Sequence, residues 1–292
     1  MPSYQFKQVD VFTARPFFGN PVAVVLGADE IDAVEMQRIA AWTNLSETTF
    51  VLRPTTLEAD YRLRIFTTTR ELPFAGHPTV GSAHAALESG FLSGEPSRLR
   101  QECIAGILPL TVEGSGPERQ IFVQAPKAKI RQRRGDEAEA LAAALGAGVV
   151  AEPAPLAIDV GPVWLIAQLE DTDAVRGLQP DAAALARLSR ELQVDGVTIF
   201  SLGSENGAAA HVRSFALEAG IVEDPVCGSG NASVGAYLAE TGLLERTGDC
   251  YVASQGTELG RDGQVFVRIH ENGRRIEIGG CAVTAIDGTI RL

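Results

Sequence analysis

The sequence predicts an α+β protein of two similar halves, each a set of strands wrapped around one central, buried helix. Three observations lead there. First, one pattern occurs twice, Glu71-Leu-Pro-Phe-Ala-Gly-His-Pro-Thr-Val-Gly-Ser-Ala and Glu223-Asp-Pro-Val-Cys-Gly-Ser-Gly-Asn-Ala-Ser-Val-Gly, at a constant offset of 152 residues (73 to 225 for the prolines, 76 to 228 for the glycines). Second, each copy opens a run of small residues that stops at a glycine, Gly90 or Gly242, and the first run carries no charge until Glu88. A helix that is apolar on every side is a buried one. Third, strand-like segments precede each copy in the same order. Gly81 and Gly235 interrupt the two runs at a cost of about 1 kcal/mol each against Ala, which predicts the close approach of another backbone.

The elements follow in order. Tyr4 to Phe12 alternates apolar and polar side chains as a half-buried strand does, and Asn20 to Leu26 reads as its partner after a Gly-Asn-Pro turn. Asp32 to Trp42 has helical periodicity with acidic residues near its start, and Ser46 to Leu52 returns as a strand. Tyr61 to Thr67 is a further strand before the first loop and buried helix. Gln101 to Val112 and Gln120 to Gln124 supply the strands that close the first half. In the second half, Pro162 to Ala167, Gly196 to Leu202 and Ala210 to Phe215 are strands, and Pro180 to Glu191 is an Ala-rich helix. Arg64 precedes Glu71 by 7 positions and Arg213 precedes Glu223 by 10 (64 to 71, 213 to 223), so the second half has the longer loop there. The boundary is expected near Pro126 to Gly135, a basic stretch read as a solvated connector ahead of a helix at Glu137 to Leu145. The halves are then 1–125 and 126–284, with a last strand, 285–292, available to return to the first.

Composition narrows the function. A chain of 292 residues, 45% hydrophobic and 21% charged, is long enough for two ordinary domains. A net charge of −12 argues against nucleic acid, whose phosphates call for a basic face. No apolar run is long enough to span a bilayer and the first twenty residues do not read as a signal peptide, so a cytoplasmic location is expected. Cys103, Cys227, Cys250 and Cys281 form no Cys-x-x-Cys pair, and the histidines at 77, 84, 211 and 270 lack metal-ligand spacing. Neither a metal nor a nucleotide cofactor has a visible seat: there is no Walker lysine and no G-x-G-x-x-G after the first strand.

The chemistry is sought at the repeated loops. Each opens onto a helix N-terminus, where unpaired N–H groups and the positive dipole end attract anions. Two such ends facing each other would hold an acidic small molecule. His77 and Ser229 correspond at the 152-residue offset (77 to 229), and Asp224 stands just ahead of the second loop. Backbone donors with a histidine and a hydroxyl suit an enolate or carboxylate. Asp224 could instead close an Asx turn before Pro225. Cys227 is either a small buried side chain or a thiol made reactive by the helix end. Glu47, in Asn44-Leu-Ser-Glu-Thr-Thr-Phe, is either a solvent-facing acid or a cleft carboxylate whose pKa burial raises for proton transfer.

Gly-Asn-Pro at 19–21, Asn-Leu-Ser-Glu-Thr-Thr-Phe-Val at 44–51, Glu-Leu-Pro-Phe-Ala-Gly-His-Pro at 71–78 and Glu-Asp-Pro-Val-Cys-Gly-Ser-Gly at 223–230 together resemble the PhzF-like family, named for the phenazine-biosynthesis isomerase. The resemblance covers nearly the whole chain. It implies the diaminopimelate-epimerase-like architecture, two pseudo-symmetric domains with the active site between them, and a homodimer. It also implies an isomerase without cofactor, since the phenazine enzyme rearranges trans-2,3-dihydro-3-hydroxyanthranilate with none. By this resemblance Glu47 moves the proton, and His77, Asp224 and Ser229 orient and polarise a small carboxylate substrate. Asn20, Gly76, Gly228 and Gly230 bind it, with Cys227 beside them.

One departure stands out. The phenazine enzyme has a threonine-type residue where this chain has Cys227 and lacks the following Gly-Asn. In the related epimerases two thiols, one per half, face the substrate carbon. Here the position matching Cys227 is Ala75 (227 to 75, the same offset), which removes a two-thiol mechanism. A racemase or epimerase pairing Glu47 with Cys227 is the alternative. A non-catalytic small-ligand-binding protein of the same fold is a third reading.

Overall fold

The computed structural model describes residues 1–131, 135–205, 207–217 and 220–292. Ser3–Val11 (β1) pairs antiparallel with Asn20–Leu26 (β2). Helix Ala33–Thr43 (α1) begins where the Asp32 carboxylate accepts the Glu35 N–H at 2.8 Å, and it ends at Asn44, whose φ of 57° is left-handed. An aspartate and an asparagine are suited to these two jobs by short polar side chains. Thr48–Leu52 (β3) runs parallel to β2, and Tyr61–Phe66 (β4) returns antiparallel to it. The two-residue strand Glu71–Leu72 (β5) folds back on β4 and leads into Gly76–Glu88 (α2). Arg98–Cys103 (β6) lies parallel to β4, followed by the antiparallel strands Gly106–Glu113 (β7) and Gln120–Gln124 (β8).

The second unit begins with Lys129–Ile130 (β9) and Glu137–Leu145 (α3). Leu156–Asp159 (β10) and Val163–Gln168 (β11) are antiparallel. After Thr172–Arg176 (α4) and Ala182–Leu192 (α5), Gly196–Glu205 (β12) runs parallel to β11 and Ala208–Ala216 (β13) antiparallel to β12. Ile221–Asp224 (β14) folds back on β13 ahead of Gly228–Glu240 (α6) and Leu244–Thr247 (α7). Cys250–Gln255 (β15) lies parallel to β13, and Gly263–His270 (β16) antiparallel to β15. The last strand is Arg275–Arg291 (β17). From β1 to β7 and from β10 to β16 the strand directions alternate identically, so the duplication in the loops is a duplication of the whole topology.

By contacts the chain divides into Met1–Gln124 with Gly279–Leu292, and Ala125–Ile278. In the first unit β1, β2, β3, β4, β6, β7, β8 and β17 close into an eight-strand barrel, β17 pairing with both β8 and β1. Inside it α2 packs against β1, β2, β3, β4 and β8, and every residue from His77 to Leu87 is buried. In the second unit α6 packs against β10, β11, β12 and β16, with Ala232 to Leu238 buried. A second apolar layer covers the outside of each sheet. Met36 and Ile39 of α1 join Val25 and Phe50, and Leu141, Leu185 and Leu188 of α3 and α5 join Leu165, Val197 and Ile199. Lys7, itself buried, ties the end of α2 to the last strand, its Nζ 2.9 Å from Glu88 and 2.6 Å from Asp287. Among the described residues no helix is long and apolar enough to cross a membrane.

Three expectations change. The glycines of the central helices face side chains rather than backbone. A Cβ on Gly81 would stand 2.5 Å from Val22 Cγ1 and 2.8 Å from Val11 Cγ2, and one on Gly235 would meet Val267 and Ile269. The Gln101 to Val112 segment is a hairpin, turned at Gly106 with φ of 113°. The chain re-enters the first unit at Gly279 rather than 285, partway along the continuous strand β17. Residues 132–134 of the basic connector and 218–219 of the longer second loop lie outside the described residues.

Gly279 supplies the test of barrel closure. A Cβ there would stand 2.4 Å from the Ile121 carbonyl oxygen and 2.5 Å from Phe122 Cδ1. The obstacle is partly backbone, so it cannot swing aside. Gly279→Ala is expected to destabilise by about 1–3 kcal/mol, read as a lower denaturation midpoint. Gly27→Ala, with φ of 69° but nothing within 4 Å, loses only the smaller cost of a left-handed alanine, about 1–2 kcal/mol.

Candidate active site

Each repeated loop is held by one ion pair, half-buried in the first unit and largely buried in the second. Arg64 on β4 grips Glu71 on β5 through two parallel hydrogen bonds, Nε to Oε1 and Nη2 to Oε2, both 2.7 Å. Arg213 on β13 grips Glu223 on β14 in the same way at 2.9 and 2.8 Å. Its Nη1 also donates to the carbonyls of Val175 and Leu178 at 3.1 and 3.0 Å. The planar guanidinium fork matches a carboxylate in one orientation, so the pair fixes where the loop leaves the sheet and where the helix begins.

A buried glutamine on the following strand steadies the first helical turn. In the first unit Gln101 Nε2 donates to Thr79 Oγ1 at 3.2 Å, while Tyr61 OH donates to Gln101 Oε1 at 2.8 Å. In the second, Gln255 Oε1 accepts from the Cys227 N–H at 3.0 Å and from Asn231 Nδ2 at 2.8 Å, and Gln255 Nε2 donates to the Asp224 carbonyl at 2.9 Å. Thr79 and Asn231 correspond at the 152-residue offset (79 to 231). Sequence reasoning missed both glutamines. The available signal was an amide at a core-facing position of a strand.

In the first unit the structure brings Glu47 and His77 together. Glu47 immediately precedes β3, and its side chain is only 14% exposed, which overturns the solvent-facing reading. Its Oε2 lies 3.4 Å from His77 Nε2 and makes no hydrogen bond among the described residues. Burial raises the Glu47 pKa above the ordinary carboxylate value, only partly offset by a hydrogen bond with Ser46. His77 is the second residue of α2 and is buried. Gly76 is the first, after Ala75, which offers no side-chain cap. The amide groups of that first turn are thus not taken up by a capping side chain. Asn20 is buried at the start of β2.

The second unit groups Asp224, Cys227, Gly228, Ser229 and Gly230. Asp224 Oδ1 accepts the Val226 N–H at 3.1 Å, so the Asx turn is present. Cys227 caps α6, its Sγ accepting from the Gly230 N–H at 3.3 Å. Of the two readings of Cys227 the small buried side chain fits better: burial, with the nearby Asp224 charge, pushes its pKa well above the ordinary value. Gly228 opens the helix. A Cβ on Gly230 would stand 2.7 Å from Ser214 Oγ and 2.8 Å from Thr198 Oγ1. Ser229 Oγ accepts a hydrogen bond from Trp164 Nε1 at 3.0 Å.

Residues 9–288 match the family model described as phenazine biosynthesis-like protein. The chain is 41% identical over 297 residues to "Antisense-enhancing sequence 1" of Schizosaccharomyces pombe, covering 99% of each chain. It is 32% identical over 291 residues to the trans-2,3-dihydro-3-hydroxyanthranilate isomerase of Pseudomonas aeruginosa, covering 98% of each. Among solved structures it is similar to a phenazine biosynthesis protein of the PhzF family from Bacillus anthracis, at 28% identity and a TM-score of 0.87 over 100% of both chains.

The buried Glu47 makes a stability prediction. Its folded pKa is raised, so the folded state holds a proton that the unfolded chain releases. Stability is therefore undiminished below the ordinary carboxylate value and falls as pH rises from there through the raised folded value. Glu47→Gln removes that loss. It should melt about 2–4 °C above the unsubstituted protein at neutral pH for each 1 kcal/mol recovered, with the difference vanishing near pH 4, as read by paired thermal melts.

Proposed function

The chain belongs to the phenazine biosynthesis-like family and is an isomerase, and from that premise we propose that it moves a proton within a small carboxylate, with Glu47 taking and returning it. The observation that carries this reading is the buried Glu47 carboxyl beside His77. A carboxyl in that environment holds a proton at a pH where an exposed one would not, and a general acid or base works best when its pKa lies near the operating pH.

The steps follow from the residues. Ionised Glu47 takes a proton from a carbon made acidic by conjugation or by an adjacent carboxylate. The electron pair passes to the conjugated system. The proton now on Glu47 is then delivered to another carbon of the same molecule, so proton and charge balance with no external partner and no cofactor. His77 in the first unit and Asp224 in the second are each suited to orienting a polar substituent. Within the first unit the first-turn amides of α2, with Gly76, and the Asn20 side chain suit anionic oxygens, and within the second unit so do the first-turn amides of α6, with Gly228 and Gly230. We further propose that the two units are domains of the diaminopimelate-epimerase-like kind. The raised pKa of Cys227 weighs against its serving as a second base, so the epimerase reading is the weaker one.

The test incubates the protein with trans-2,3-dihydro-3-hydroxyanthranilate and a panel of small carboxylates in deuterated water, followed by mass spectrometry. At least one substrate should rearrange. Glu47→Gln should lower turnover about 10²–10⁴-fold, the usual worth of a positioned acid or base, with a native circular dichroism spectrum. Cys227→Ser should keep most of the activity. Equal turnover by Glu47→Gln removes this carboxyl from the mechanism, and exchange at a stereocentre that depends on Cys227 favours the epimerase.

A further inference from the structure

We propose that Trp164 is a positioning residue that sets the direction of the Ser229 hydroxyl, so that Ser229 presents its proton to an acceptor oxygen of the substrate. This rests on the reading of the 224–230 loop as substrate-binding.

An indole N–H only donates. Trp164 Nε1 lies 3.0 Å from Ser229 Oγ, so the oxygen receives and one of its lone pairs is occupied. The hydroxyl proton must point elsewhere. Among the described residues the other neighbour of Oγ is Cys227 Sγ at 3.5 Å, whose S–H can donate to Oγ and whose sulfur is a weak acceptor that already receives the Gly230 N–H. A carboxylate or enolate oxygen would be a far better partner for that proton. The first-turn amides of α6 have the same polarity, so hydroxyl and backbone would favour the same charge. A substrate ammonium at this position would meet donors.

The fold holds the indole in place. Trp164 sits on β11 opposite Gly196 of the parallel strand β12. A Cβ on Gly196 would stand 2.5 Å from Trp164 Cζ3, so the missing side chain makes room for the ring. The indole is 4% exposed, and a buried tryptophan places its N–H on a partner. A carbonyl would have satisfied that need equally. Placing it on a hydroxyl is what makes the contact directional.

The chain has two tryptophans, and Trp42 is 79% exposed. Nitrogen-15 labelling therefore gives two indole N–H signals, assigned with Trp42→Phe. Ser229→Ala should shift the Trp164 signal and speed its exchange with solvent while leaving Trp42 unmoved. In the isomerisation assay Trp164→Phe should lower kcat about ten-fold with KM within about two-fold, the size expected for one orienting hydrogen bond felt in the transition state. The double variant Trp164→Phe/Ser229→Ala should be no slower than Ser229→Ala alone. Incorporating β-(3-benzothienyl)alanine, which keeps the ring shape and lacks the N–H, should reproduce the kcat loss if packing is intact. An indole signal unmoved by Ser229→Ala, full activity of the benzothienyl protein, or independent multiplicative losses in the double variant would each overturn the proposal. Absence of turnover on every substrate would instead sink the isomerisation mechanism, and the indole signal would still report on the orientation.

Discussion

The bidentate arginine–carboxylate pair at the mouth of each central helix is the constraint from which the rest follows. Neither pair is a large source of stability: the half-buried Arg64–Glu71 pair is weakened by solvent, and for the buried Arg213–Glu223 pair the cost of removing two charges from water nearly matches their attraction. Its value is geometric. Two parallel hydrogen bonds between Arg64 and Glu71, and two between Arg213 and Glu223, leave one orientation for strands as short as β5 and β14. Such strands have too few ladder bonds to hold their own register. With the clamp, the loop after each one delivers its glycine to the helix start, Gly76 or Gly228.

Once the helix start is fixed, the polar groups around it divide into those that are satisfied and those that are not. Gln101 and Gln255 are deep in their units and their amides are engaged on both sides. His211 likewise bridges Ser254 and Glu258 through its two ring nitrogens at 2.9 Å each, pinning the turn that follows β15. These groups stiffen the scaffold. At Glu47, as at Glu258 Oε2 and Asn231 Oδ1, one buried oxygen makes no hydrogen bond among the described residues, but at Glu47 burial also raises the pKa. What sets Glu47 apart is the combination of a raised carboxyl pKa with a histidine at a helix start.

Much of this was legible in the sequence, and for physical reasons. Period-two alternation found β1 and β4, and uncharged small-residue runs found α2 and α6, because burial on one face or on all faces leaves a direct imprint on residue choice. The duplicated loops gave the internal symmetry. What stayed hidden was cross-chain pairing. Nothing local to Trp164 announces a bond to Ser229, and nothing near Gln255 announces Cys227, since those partners are 65 and 28 positions apart. The glycines were recognised as signs of close approach, but whether backbone or a valine methyl approaches depends on strand register. The two readings of the thiol stay open in the sequence because the helix dipole is visible there and the competing desolvation is not.

The divergence between the two copies carries the final step. At matching positions His77 stands for Ser229, Ala75 for Cys227 and Thr79 for Asn231. The scaffold elements, clamp and glutamine, are kept in both units, while the residues at the helix start differ. Strict symmetry would suit a reaction with equivalent groups on either side of one carbon. Here the first unit combines a carboxyl of raised pKa with an imidazole, and the second offers a hydroxyl held by an indole and a thiol that burial keeps protonated. Among the described residues at the two helix starts, the raised carboxyl pKa belongs to the first alone, and that asymmetry is what the proposed one-base reading draws on.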